Sequence, residues 1–189
     1  MELVRNIRLK FGNLLLRKKL AKTKRKVRYS NIEHVKKIGI VWDASQVSDF
    51  ISLSKFYQKM HERDVDVKVF GYYPDNNLPD QYTAIRYLTC LKKDEVNFFY
   101  HPVSPESETF IKKRFDILID INFNNLLPLE YLSSLSHASL KVGLFDPDKN
   151  GENFDLMMDM KKPVDVGHYL DQALHYLEMI HSGQVEKVH

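Results

Sequence analysis

The sequence predicts an α/β protein, a three-layer Rossmann-like domain with a mostly parallel sheet of five or six strands, preceded by a basic amphipathic helix. Short apolar runs such as Ile38-Gly39-Ile40-Val41-Trp42 read as strands buried on both faces. Segments of helical length separate them, which is the pattern of parallel strands joined by crossovers. Charge is also segregated. Residues 1–28 hold eleven of the 28 Lys and Arg but one of the 25 Asp and Glu, a net of +10 against −7 for the remainder.

The arm is placed at residues 1–30 and the Rossmann-like domain at 35–183. Within the arm, Leu3, Val4, Ile7, Phe11, Leu14 and Leu15 fall on one helical face, with Arg5, Arg8, Lys10 and Arg17 largely elsewhere. From Arg17 to Arg28 there are eight bases in twelve residues and no acid, so self-repulsion should fray that part unless a polyanion neutralises it. The first strand ends in Asp43-Ala44-Ser45, and Ser48 or a neighbour caps a helix running to about Arg63. A second strand spans Val65 to Tyr73, and Pro74 to Pro79 forms a loop. Tyr82 to Leu91 reads as a short helix and Val96 to Tyr100 as a third strand.

A helix over Glu106 to Arg114 leads into the clearest strand, Phe115 to Ile121. A helix follows at Leu129 to Leu135, then strands at Lys141 to Phe145 and Phe154 to Met160. The last helix starts at Val164 or Asp165, runs to Ile180 and stops near Gly183, a residue suited to a left-handed helix end.

A chain of 189 residues can bury a core without cross-links. The lone Cys90 excludes an internal disulfide or a cysteine zinc cluster and suits a reducing cytoplasm, where we expect the protein to act. The seven glycines form no GxGxxG, P-loop or GxSxG motif, so dinucleotide, P-loop and hydrolase chemistry lack support. We assign no catalytic residue, metal ligand or cofactor. Asp146-x-Asp148-x-Asn150-Gly151 opens like a calcium loop, but Met157 stands where a bidentate Glu is needed. His168, Asp171 and His175 share a helix face without a further strong ligand, and Cys90 reads as a buried, inert thiol in a helix.

Two sets of residues are candidates for binding. Open parallel sheets hold ligands at the carboxyl ends of their strands, where Asp43, Ser45, Asn122, Asn124, Asn125 and Asp146 should gather. Carboxylates, amides and a hydroxyl suit a polyhydroxylated ligand, although Asp and Asn at strand ends also cap helices and close turns. The second set is cationic: Arg17, Lys18, Lys19, Lys22, Lys24, Arg25, Lys26 and Arg28. It leads us to expect a binding or adaptor protein rather than an enzyme. The expected partner is a nucleic acid or ribonucleoprotein, ahead of a peripheral membrane contact. A third use of the arm is to pair its apolar face with a second copy of the chain or with the body.

The stretch from Phe115 to Asp146 resembles the acceptor-side, N-terminal half of the heptosyltransferase-like two-domain glycosyltransferases. A strand of the type Phe-Asp-x-x-Ile-Asp at Phe115 to Asp120 carries the likeness, with Ser136-His137-Ala138-Ser139 and a Lys-Val-Gly-Leu-Phe strand at Lys141 to Phe145. The resemblance implies an α/β domain that packs against a nucleotide-sugar-binding partner domain, and hence a sugar-related enzyme or binding module as the alternative function. The whole chain looks like a member of an uncharacterised family of short bacterial proteins with a basic N-terminal helix.

Overall fold

The computed structural model describes residues 2–147 and 154–180. The calcium-like positions 148–151 and the helix stop near Gly183 lie outside them. Helix α1 (Glu2–Leu20) is followed by an irregular strap that leads to strand β1 (Lys37–Asp43). Then come α2 (Phe50–His61), β2 (Asp66–Tyr72), α3 (Asp80–Thr83), β3 (Leu88–Leu91) and α4 (Pro105–Lys112). The second half contains β4 (Ile117–Ile121), α5 (Leu127–Leu135), β5 (Leu140–Leu144), β6 (Leu156–Met158) and α6 (Val166–Met179). The six strands form one sheet in the order β3-β2-β1-β4-β5-β6, every pair parallel.

This is the doubly wound order, with its reversal between β1 and β4. Both strands are buried on both faces because helices cover each side. On one face Ile38, Ile40, Trp42, Ile117 and Ile119 pack against Leu53, Phe56 and Met60 of α2 and Tyr169, Leu170 and Leu174 of α6. On the other, Val41, Phe70 and Leu118 meet Phe110 of α4 and Leu129 and Leu132 of α5. Helix α1 adds a further layer outside α5, where Leu16 packs on Leu127, Tyr131 and Leu135.

Two sequence expectations fail. The helix expected over Tyr82 to Leu91 is one turn, α3, followed by β3, so Cys90 lies in a strand. Leu88-Thr89-Cys90-Leu91 pairs with Val69 to Tyr72, and Tyr82 enters the core while its phenol donates to the Ala44 carbonyl at 3.1 Å. Sheet pairing has overridden a helical spacing too short to nucleate more than one turn. The strand expected at Val96 to Tyr100 is a loop closed by a single antiparallel bridge between Val96 and Pro102. Asn97 organises it: its side-chain oxygen accepts the N–H groups of Phe99 and His101 at 2.9 and 3.1 Å. Tyr100 there adopts a φ of 61°. Its aromatics face α1 rather than the sheet. The residue at the start of α2 is Asp49, the neighbour of Ser48, and it gives no side-chain cap.

Candidate functional site

The strand-end residues converge, in two groups. Asp43 leaves β1 at the sheet's reversal point and is buried. One carboxylate oxygen accepts the Ser45 hydroxyl at 2.6 Å and its N–H at 3.1 Å; the other accepts the Asn124 amide at 2.7 Å. That last bond links the ends of β1 and β4, with Asn124 itself exposed. Asn122 is equally committed, because its side chain donates to the Leu126 carbonyl and accepts the Leu126 N–H, at 3.0 and 2.8 Å. Asn125 follows with a φ of 53°, a left-handed conformation that Asn tolerates and that completes the turn.

Asn122, Asn125 and Asp146 line a cavity of about 50 Å³ at the ends of β4 and β5, together with Asp120, Glu130, Ser133 and Lys162. This holds one or a few waters, against the roughly 300 Å³ or more of a small-molecule pocket. Asp120 escaped the sequence reading although it interrupts an apolar run two residues before Asn122, where its carboxylate accepts the Asn122 N–H at 2.8 Å. A wider groove of about 900 Å³ lies elsewhere, along β6 and α6, lined by Met157, Met160, His168 and Tyr176. Cys90 is half-buried rather than buried as expected, and desolvation pushes its thiol up to about 12.

The arm is built differently. Helix α1 runs alongside α5 in the same direction, Gly12 lying at Leu127 and Lys19 at Tyr131. The face that docks carries Leu9, Gly12, Leu16 and Leu20. Gly12 makes the approach possible, because a Cβ there would stand 2.5 Å from the Phe99 carbonyl oxygen and 2.6 Å from a Leu127 methyl. The buried His101 ring donates from Nε2 to the Gly12 carbonyl at 2.9 Å, and burial, aided by the Lys19 charge, lowers its pKa. Arg8 lies over the rings of Phe98 and Tyr100 and donates to the Phe98 carbonyl at 2.6 Å.

The apolar stripe named in the sequence therefore lies on the face that does not dock. Leu3, Val4, Ile7, Phe11, Leu14 and Leu15 are all exposed, Leu14 by 62% and Phe11 by 51%. At about 100° per residue the two faces are centred roughly half a turn apart. Sequence periodicity located the apolar side of the helix but not the side that docks. The single glycine in the helix was the available signal for close approach.

Beyond α1 the strap crosses the amino ends of β5 and β6, at the opposite edge of the sheet from the crevice. Arg25 points in, donating to the Ala138 and Ser139 carbonyls at 3.2 and 3.3 Å and pairing with Asp155 at 2.7 Å. Val27 is buried, and the Arg28 N–H donates to the Ser139 carbonyl. Asn31 then bonds the carbonyls of Glu178 and Ile180 at the end of α6. Of the eight cations proposed from sequence, Arg25 and Lys19 serve this anchoring, Lys19 through the Tyr131 hydroxyl at 2.6 Å. Arg17, Lys18, Lys22, Lys24, Lys26 and Arg28 remain exposed.

Fold and site together define a doubly wound α/β protein with a strand-end cluster bonded to itself and a docked cationic arm. The chain belongs to the DUF6913 family, a family of unknown function whose profile matches residues 8–180, most of α1 and the whole strap included. No curated protein matches it.

Proposed function

We propose that the protein is a non-enzymatic docking module whose α/β body holds a cationic arm against a phosphate-bearing partner, either a nucleic acid or ribonucleoprotein or the headgroups of a membrane. One observation carries this reading. Arg25 and Val27 fasten the strap inward while Lys22, Lys24 and Arg28 alternate with them outward, and Arg17 and Lys18 extend the row at the end of α1. Exposed bases held by a fixed backbone lose little ordering entropy when phosphates meet them, and they release counterions. The test measures binding of a single-stranded RNA and of anionic vesicles against salt concentration, for the native protein and for K22E/K24E/R28E. We expect binding to at least one probe, weakening steeply with salt and lost in the variant. No binding to either probe at low salt would end the proposal.

The alternative, a sugar or nucleotide-sugar site, draws support from the strand order, which sets Asp43 and Asn124 at the position where open sheets hold ligands. The crevice weighs against it, since these groups already satisfy one another. A thermal-shift screen with sugars and nucleotide sugars tests it, and a hit weakened by Asn124→Ala would restore it.

A further inference from the structure

We infer that the outward face of α1 lies on an anionic lipid bilayer, an inference that rests on reading the arm as phosphate-binding and names the source of the phosphates. The stripe of Leu3, Val4, Ile7, Phe11, Leu14 and Leu15 spans about 120° of the helix surface. It does not end at the helix. Phe11 contacts the Phe99 ring at 6.4 Å, Phe99 contacts Phe98 at 5.4 Å, and Phe98 is 60% exposed, so loop and helix present one apolar platform. Arg8, stacked on Phe98 and Tyr100, braces that loop from the docked side.

Charge selects the occupant. On a helical projection Lys10 and Arg17 border the stripe, Lys18 continues it, and the arm's single acid, Glu2, falls on the opposite side. An apolar face rimmed by cations complements an interface of acyl chains beneath anionic headgroups. A second copy fits poorly, because face-to-face pairing would bring together two arms of net charge +10. A nucleic acid would meet the cations but leave six aliphatic and aromatic side chains facing phosphate and water. The contact is peripheral, since no helix among the described residues is long and apolar enough to cross a membrane.

The experiment is flotation of the full chain with vesicles of phosphatidylcholine alone and of phosphatidylcholine with phosphatidylglycerol, alongside RNA binding and light scattering. The native protein should float only with the anionic vesicles. Leu3→Glu with Leu14→Glu should cut the bound fraction about tenfold or more while leaving the melting temperature unchanged, because these are the two most exposed side chains of the stripe, at 73% and 62%. Phe11→Tyr should largely retain flotation. Three results would overturn the inference: RNA binding without flotation, equal flotation of the double variant, or a native dimer that the double variant disperses. In the first case the phosphate reading survives and only its lipid source fails; if neither RNA nor vesicles bind, both fail.

Discussion

The β1/β4 crevice and the N-terminal arm are the two regions where the sequence concentrates binding chemistry, and they differ in how much bonding capacity is already spent. In the crevice, Asp43, Ser45 and Asn124 bond one another, and Asn122 bonds the turn that it starts. In the arm, Arg25, Lys19 and Gly12 make the internal contacts while neighbouring cations and six apolar side chains face outward. Polar residues gathered at a strand end are thus weak evidence of a ligand, since a carboxylate beside an amide and a hydroxyl closes a loop as readily as it opens a site. Unspent groups on a backbone fixed by their neighbours are stronger evidence.

The comparison breaks first on charge. K22E/K24E/R28E should weaken binding to the preferred anionic probe by about a hundredfold at low salt, while Asp43→Asn leaves it unchanged, both read by titration. Equal losses in the two variants would erase the distinction between the regions. Conversely, Asp43→Ala should cost about 1–2 kcal/mol in denaturant unfolding, because it removes the hydrogen bonds that the buried carboxylate accepts from half-buried Ser45 and exposed Asn124.

Lys141 sharpens the comparison from inside the arm's anchorage. Its amine is buried, donates to the Ser134 carbonyl at 2.6 Å, and has a pKa of about 7, through burial first and the Arg25 charge second. The unfolded chain titrates near the ordinary 10.5 and so binds more protons between these values, and this group's contribution to stability rises with pH across that window. Lys141→Met should therefore stabilise the fold by about 1–3 kcal/mol near neutral pH and flatten its pH dependence above 7. A melting curve at several pH values decides it.

Smaller effects probe the docking of α1. Gly12→Val should push the helix off the Phe99 carbonyl, seen as faster trypsin cleavage within residues 5–19 with the sheet intact. His101 adds a pH dependence. Its pKa is lowered in the folded state, so its contribution is fully present above the ordinary imidazole value of about 6.5 and is lost as pH falls below it. Amide exchange in α1, corrected for its intrinsic rate, should show weaker protection at pH 5.5 than at 7.5. His101→Gln, which retains a donor, should remove most of that difference.

Much of the fold was legible because parallel strands buried on both faces announce themselves as continuous apolar runs, and β1, β4 and β5 appear where Ile38-Trp42, Ile117-Ile121 and Val142-Leu144 stand. The short edge strand β3 was not, since Leu88 to Leu91 gains its identity from pairing with β2. Nor was the loop at 96–102, whose aromatics match a strand while the Asn97 side chain folds it back. Position along the chain was enough to collect Asp43 and Asn124 at the sheet's reversal, but not to tell that they would bond each other. The docked side of α1 was hidden for another reason. It relies on a missing side chain at Gly12, a carbonyl and an Arg8–aromatic stack, and none of these registers as apolar periodicity.

Helix α5 has almost no solvent-facing side, because α1 covers the surface formed by Leu127, Tyr131 and Leu135. A molecule whose first twenty residues have not yet settled would present that sticky patch to chaperones and proteases. Ordering of the arm is consequently coupled to folding of the body: the row of cations is held in register only once α1 has settled on α5.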